Sequence, residues 1–101
     1  MSADLRVSLV YGVELPRGTP AAAFASNAAV RFVHPHGATY PVVYAAASEH
    51  RVASVLDVDS VTSRVRMEAS AFAGIVSDAC IAAGIGVAPS VCGWLVVCDV
   101  R

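Results

Sequence analysis

The sequence predicts a single α+β domain over residues 1–101, in which a mainly antiparallel sheet of four or five short strands carries one long helix on one face. Three observations predict this fold. Residues 5–15 alternate as a half-buried strand does, residues 61–83 carry an apolar repeat at helical spacing, and residues 91–100 end the chain with an apolar strand-like run. A chain of this length can bury one core without disulfides or metals.

The first strand is predicted over residues 5–15. Gly12 near its end suggests a bulge, and the prolines and glycine of 16–20 stop the strand. The side chains expected to face the core stand at the odd positions: Leu5, Val7, Leu9, Tyr11, Val13 and Leu15.

The Ala-rich segment 21–29 has two interpretations. Thr19 can cap a short helix that has Pro20 at its first position. Alternatively, the segment forms a loose loop.

Further strands are predicted over residues 30–34 and 40–47, with another short one within 52–58. The segment 34–37 (His-Pro-His-Gly) is typical of a type I turn, with proline second and glycine fourth. Pro41 cannot donate to a sheet ladder, so it indicates an edge strand or the start of a strand.

The main helix is predicted from apolar residues that recur at steps of three, four or seven. Asp59 or Ser60 can cap its start, and Gly84 and Gly86 end it. Its β-branched opening, 61–67, also fits a strand. The apolar face consists of Val61, Val65, Phe72, Val76, Ala79 and Ala83.

The back of this helix is apolar as well between residues 69 and 76. A helix that covers one sheet face should carry polar residues on its back. Their absence predicts a second contact, made by this chain or by another. The candidate interface residues are Ala69, Ala73, Ile75 and Val76.

Residues 91–100 predict the last strand, and the run 94–98 (Trp-Leu-Val-Val-Cys) favours a central strand buried on both faces. The three cysteines, Cys80, Cys92 and Cys98, all lie in apolar sequence. An odd number argues against a disulfide framework, so we expect three small buried hydrophobic residues.

The composition favours association. Hydrophobic residues make up 56% of the chain and charged residues 15%, against about 25% charged in an average soluble domain. So few polar groups predict a homo-oligomer, most simply a dimer, formed through the helix back, a sheet edge or both. The net charge of −1 argues against nucleic-acid binding.

Residues 79–98 hold no charge and are long enough to span a bilayer. Their glycines and proline instead predict a helix end, a loop and a strand. Near the N-terminus, Asp4, Arg6 and Glu14 interrupt any signal-like apolar segment. We therefore expect a cytoplasmic protein without a membrane role.

The histidines offer a conceivable metal site. His34 and His36 share a turn, and a hairpin would bring His50 close, with Asp57 or Asp59 as further ligands. Their spacing matches no zinc signature, and a solvated turn explains them more simply, so we predict no metal and no cofactor. The sequence also shows no nucleophile motif or phosphate-binding glycine loop, so we do not expect an enzyme.

Two stretches of the sequence carry a resemblance. One is 11–15 (Tyr-Gly-Val-Glu-Leu) in the first strand, and the other is a helix ending in Gly84-Ile85 followed by 93–95 (Gly-Trp-Leu). This layout resembles small uncharacterised proteins of actinobacterial phages. The resemblance implies a phage origin and transfers no site. Seven arginines without a lysine fit a GC-rich genome of that kind.

These features favour a small non-enzymatic accessory protein that binds a host or phage protein. Two alternatives stay open. One is a small-ligand or metal-binding module built on the His34 and His36 turn, and the other is a small enzyme that uses cysteine or histidine.

Overall fold

The computed structural model describes residues 5–35, 37–51, 69–87 and 89–100. The α-helix and the strands of these ranges are β1 (Leu5–Glu14), β2 (Val30–Val33), β3 (Val42–Ala45), β4 (His50–Arg51), α1 (Ala69–Ala82) and β5 (Gly93–Val100). Short 3-10 helices lie at Ala21–Phe24, Ala46–Ser48 and Pro89–Val91. All strand pairs are antiparallel, and α1 packs on the sheet, which confirms the predicted α+β class.

β1 lies at the centre of the sheet. Gly12 pairs with both Tyr44 of β3 and Gly93 of β5, so these two strands flank β1 on opposite sides. Leu9 pairs with both β4 and β5, which places β4 on the same side as β3. β2 continues the sheet beyond β3. Among the described strands, β5 therefore has β1 as its single neighbour.

Within the described part of the sheet, β5 is therefore an outer strand, where the sequence predicted a central one. Trp94 and Cys92 pack into the core cluster under α1, while Leu95 and Val97 pack into a second cluster on the opposite sheet face. The apolar run is continuous because side chains on both faces of β5 make apolar contacts. Such contacts do not require a strand on each side.

The alternation predicted for β1 is present, but its even face is also buried at the centre of the strand. Leu9 and Leu15 are buried on the odd face, and Tyr11 packs there against the helix-side cluster. Val10 on the even face is equally inaccessible, at 0% exposure, and packs with Tyr44. The sheet is therefore buried on both sides at its centre.

Gly12 serves close packing, and no bulge is present. Its pairing with β5 continues in register from Leu5, without a skipped residue. A Cβ at Gly12 would stand 2.7 Å from the Cα of Tyr44 and closer still to the carbonyl oxygen of Val43. The backbone of β3 therefore occupies the space that any larger residue at this position would need.

The hairpin of β2 and β3 is confirmed, but its turn lies one residue later than predicted. The amide of Ala38 donates to the carbonyl of Pro35 at 3.0 Å, and Gly37 holds the third position with φ +77°. That conformation favours glycine, which the predicted type I turn would have placed fourth. Pro41 immediately precedes β3, as a residue without an N–H at a strand start should.

The Ala-rich segment forms a short 3-10 helix, Ala21–Phe24, and Thr19 does not cap it. The Thr19 hydroxyl instead donates to the carbonyl of Pro16 at 2.6 Å, which closes the turn after β1. Phe24 is buried and stacks on Phe32 with ring centroids 6.0 Å apart. This stacking anchors the segment to β2.

The predicted back of α1 is partly an inner face. Ala73 and Val76 are buried in the helix-side core cluster, so their placement on an outward face is corrected. Ile75 is half-buried against the same cluster, and Ala69 is half-buried. The reason is the width of the contact, since a helix lying across several strands buries more than a single stripe. Exposed positions of α1 are Ser70, Ala71, Asp78, Ile81 and Ala82.

Several predictions fall outside the described residues. They are the short strand within 52–58, the helix cap at Asp59 or Ser60, and the helix or strand at 61–67.

Candidate functional site

An open apolar groove of about 610 Å³ lies between the end of β1 and the loop that follows α1. It is assembled from segments that are distant in the sequence. Its lining residues are Val13, Glu14, Leu15, Pro16, Tyr40, Ile85, Gly86, Val87 and Val91. Two large apolar side chains on it are unusually accessible, with Tyr40 48% and Val91 61% exposed.

One wall of the groove is built where β1 meets the start of β3. The amide of Leu15 donates to the carbonyl of Pro41 at 2.8 Å, which extends the β1–β3 pairing beyond the strand end. Leu15 itself is buried in the core, so the groove stands on a packed base. This bond fixes the positions of two lining residues, Pro16, which follows Leu15, and Tyr40, which precedes Pro41.

The opposite wall is set by the end of α1. The amide of Ile85 donates to the carbonyl of Cys80 at 2.8 Å, and the amide of Gly84 donates to that of Ile81 at 3.0 Å. With Gly84 at φ +81°, this is a Schellman motif, which ends the helix as the glycine predicted. Ile85 then packs back against the core cluster and lines the groove.

Ser77 fixes the next part of the same wall. It is buried on α1, and its hydroxyl donates to the carbonyl of Val87 at 2.6 Å. A buried serine on a helix thereby holds a loop ten residues further along the chain. The loop from Ile85 to Val87 consequently has both a helix cap and a side-chain bond to position it.

An aromatic cluster supports the segment that leads from Val91 into β5. Tyr11 meets Trp94 edge-on at 5.2 Å between ring centroids, and Phe72 lies 6.1 Å from Tyr11 and 6.5 Å from Trp94. The Tyr11 hydroxyl also donates to the carbonyl of Cys92 at 3.3 Å. Such ring pairs add stability beyond the area that they bury.

The groove offers binding chemistry more than reaction chemistry. Glu14 is the one charged residue of the described lining, and Tyr40 adds a phenol. The described lining holds no histidine, cysteine, serine or threonine that would serve as a base or nucleophile. An apolar group with an adjacent positive charge complements such a surface.

The predicted metal ligands are not brought together in the described part of the chain. His34 is exposed after β2, and its Nε2 lies 2.7 Å from the carbonyl oxygen of Ala38. His50 lies in β4, whereas His36, Asp57 and Asp59 lie outside the described residues. Among the described side chains, no group of three or more potential ligands converges.

The three cysteines have two kinds of environment. Cys80 and Cys92 are buried in the helix-side core, as expected, whereas Cys98 is exposed, contrary to the prediction. Burial raises the pKa of the Cys80 thiol above its ordinary value of 9.0, and the charge of a neighbouring Cys92 thiolate raises it further. Burial also raises the pKa of Cys92. Both buried cysteines are thus held as neutral thiols, which are poor nucleophiles.

Sequence reasoning missed the groove. Its walls come from four separate segments, and their meeting depends on the tertiary fold. Tyr40 and Val91 carried a weak signal, because each large apolar residue stands at the first position of a predicted strand, next to turn-forming residues.

Comparisons with protein-family models, with curated protein sequences and with solved structures found no match to this chain. Among the described residues, no helix combines the length and the apolar character needed to cross a bilayer. The uncharged stretch 79–98 consists, where described, of the end of α1, a loop, a 3-10 helix and β5, as the sequence predicted.

Proposed function

We propose that this protein is a non-enzymatic accessory protein that acts by binding another protein, and that the groove receives an apolar segment of that partner. The observation that carries the proposal is the pairing of two exposed apolar side chains, Tyr40 and Val91, across a pre-formed groove. Exposed aromatic and aliphatic groups beside a concavity are typical of protein-binding surfaces.

The openness of the groove favours a polypeptide over a small ligand. Small-molecule sites bury most of the ligand surface within a concave pocket. Here, Tyr40, Val91 and Glu14 remain accessible at the lining, so a small apolar molecule would leave much of its own surface in water. A longer segment can cover the exposed residues and continue beyond them.

Glu14 defines the chemistry of the partner more closely. A carboxylate beside an apolar groove attracts a basic side chain and disfavours an acidic one. The expected partner segment therefore combines a large apolar residue with a nearby lysine or arginine.

We place this activity in the cytoplasm, and in the host cytoplasm for a phage-encoded protein. The thiols of Cys80, Cys92 and Cys98 are all free, which is typical of a reducing compartment. The proposed phage or actinobacterial origin is supported by the arginine-only basic composition and by the resemblance of 11–15 and 93–95.

A random peptide library displayed on yeast tests the proposal when it is selected on the purified protein. We expect enriched peptides that share an apolar residue next to a basic one. Val91→Asp should weaken them at least tenfold, since it removes an apolar contact and puts a carboxylate where the apolar residue of the peptide would pack. Ile81→Asp is the matched control, because Ile81 is equally exposed (62%) but lies outside the groove lining. An unselective library, or peptides that bind the Val91→Asp variant as tightly as the wild type, would refute the groove as the binding site.

A further inference from the structure

Among the described strands, β5 has a long edge without a partner strand. It pairs with β1 at eight successive positions, from Leu5 with Val100 to Gly12 with Gly93, and with no other described strand. Backbone N–H and C=O groups alternate in direction along a strand. One row of them on β5 therefore points away from β1, toward the outside of the sheet.

β2 and β5 lie at opposite sides of the described sheet and differ in how well they are protected. β2 at the opposite edge has four residues, includes the exposed Arg31 and is soon followed by Pro35. β5 has twice that length, carries no charge or proline over residues 93–98, and has no bulge in its register with β1. Natural edge strands avoid pairing through shortness, charge, proline or bulges. β5 is long and unbulged, and its one charged residue, Asp99, lies near its end, outside the segment 93–98.

The side chains near the middle of β5 also leave an apolar surface uncovered. Trp94 on the helix-side face packs against Phe72 of α1. Further along the same face, Val96 is 62% exposed and Cys98 is exposed. An exposed valine in the uncharged segment 93–98 is a surface that the side chains of a second strand would cover.

We propose that β5 pairs antiparallel with β5 of a second copy of this chain, about a two-fold axis that passes beside Val96 or Val97. An antiparallel pair of identical strands related by an axis normal to the sheet is self-complementary, so each face of one copy continues into the same face of the other. The segment 93–98 is uncharged, so residues of this segment that meet across the axis bring no like charges together. The self-complementary geometry and the absence of like-charge repulsion together favour a second copy as the occupant of the edge.

Sedimentation velocity over micromolar concentrations tests the dimer. The wild type should associate, and Val96→Lys should weaken association at least tenfold, because an edge lysine would carry its charge into the new strand pair. Ile81→Lys is the matched control, since both positions are 62% exposed and apolar, but Ile81 lies on α1. Far-UV circular dichroism confirms that both variants fold. A monomeric wild type, or an equal loss of association in the two variants, would overturn the proposal.

Cysteine cross-linking locates the axis. With oxidised glutathione as the oxidant, Val96→Cys in a Cys98→Ser background forms a covalent dimer if the axis passes beside Val96. The same Val96→Cys change with Cys98 retained cross-links more efficiently if the axis passes beside Val97, because residue 96 then faces Cys98 of the other copy. A dimer that persists without either cross-link places the contact elsewhere and contradicts the proposal.

The dimer and the groove are independent surfaces. Val96 is not part of the groove lining, and Val91 precedes β5. A monomeric protein that still binds the selected peptides would overturn the dimer alone.

Discussion

β1 and β5 lie side by side, and both are long strands with buried apolar side chains on their two faces. β1 has a neighbour on both sides, with β5 along one edge and β3 and β4 sharing the other. β5 has a described neighbour on one side only. Apolar side chains therefore indicate which faces of a strand are buried. The number of hydrogen-bonded neighbouring strands is a separate property. It decides which strand tolerates a larger side chain and which strand has an edge that another strand can pair with.

The glycine pair that joins the two strands tests this difference most strongly. Gly12 of β1 pairs with Gly93 of β5, but a Cβ at Gly12 would meet the backbone of β3, whereas one at Gly93 meets nothing within 4 Å. Gly12→Ala should therefore lower the free energy of unfolding by about 3 kcal/mol through overpacking. Gly93→Ala should change it by no more than about 0.5 kcal/mol.

Urea denaturation of both variants measures the two values. Equal losses at Gly12 and Gly93 would mean that the two strands are equally enclosed. That result would contradict the inference that β1 is more closely enclosed than β5.

The next largest effect is expected at Ser48, which bonds to β1 where the neighbouring strand changes from β3 to β4. Its hydroxyl accepts from the amide of Tyr11 and donates to the carbonyl of Ala45, and it is fully buried. Ser48→Ala leaves both backbone groups without this partner and should cost about 1 to 3 kcal/mol of stability. The exposed Ser90→Ala is the control, with an expected change within about 0.5 kcal/mol.

Amide hydrogen exchange sharpens the interpretation of the same variant. The Tyr11 amide should lose protection in Ser48→Ala beyond the global loss of stability. Unchanged protection of Tyr11 would show that β1 does not depend on this serine.

The elements of the fold could be predicted from the sequence because their signals are local. The alternation of 5–15, the turn residues before Pro41 and the glycine at 84 each depend on near neighbours. They gave β1, the β2–β3 hairpin and the end of α1.

The arrangement of those elements depends on contacts distant in sequence, which the sequence pattern does not contain. The placement of β5 at an edge follows from its pairing with β1, more than eighty residues away. Gly12 looked like a bulge because a close backbone approach by β3 leaves the same trace in a sequence, namely an isolated glycine. The groove joins Tyr40 to Val91 and was invisible for the same reason.

The smallest expected effect is a change of stability with pH that comes from the buried thiols. Cys92, just before β5, is buried in the core, whereas Cys98 near the end of the strand is exposed. Burial raises the pKa of Cys80 and Cys92 above 9.0 in the folded protein. Between 9.0 and the folded pKa, the unfolded chain releases thiol protons that the folded chain retains. Stability contributed by these thiols is therefore complete below pH 9 and is lost as the pH rises.

Urea denaturation at increasing pH, from about 8 to about 10, measures that loss. The Cys80→Ala, Cys92→Ala double variant should lose less stability over this interval than the wild type does. Parallel curves for the wild type and the double variant would show that the buried thiols do not titrate differently on unfolding. In that case, burial would not distinguish Cys92, which precedes β5, from the exposed Cys98 near the end of the strand.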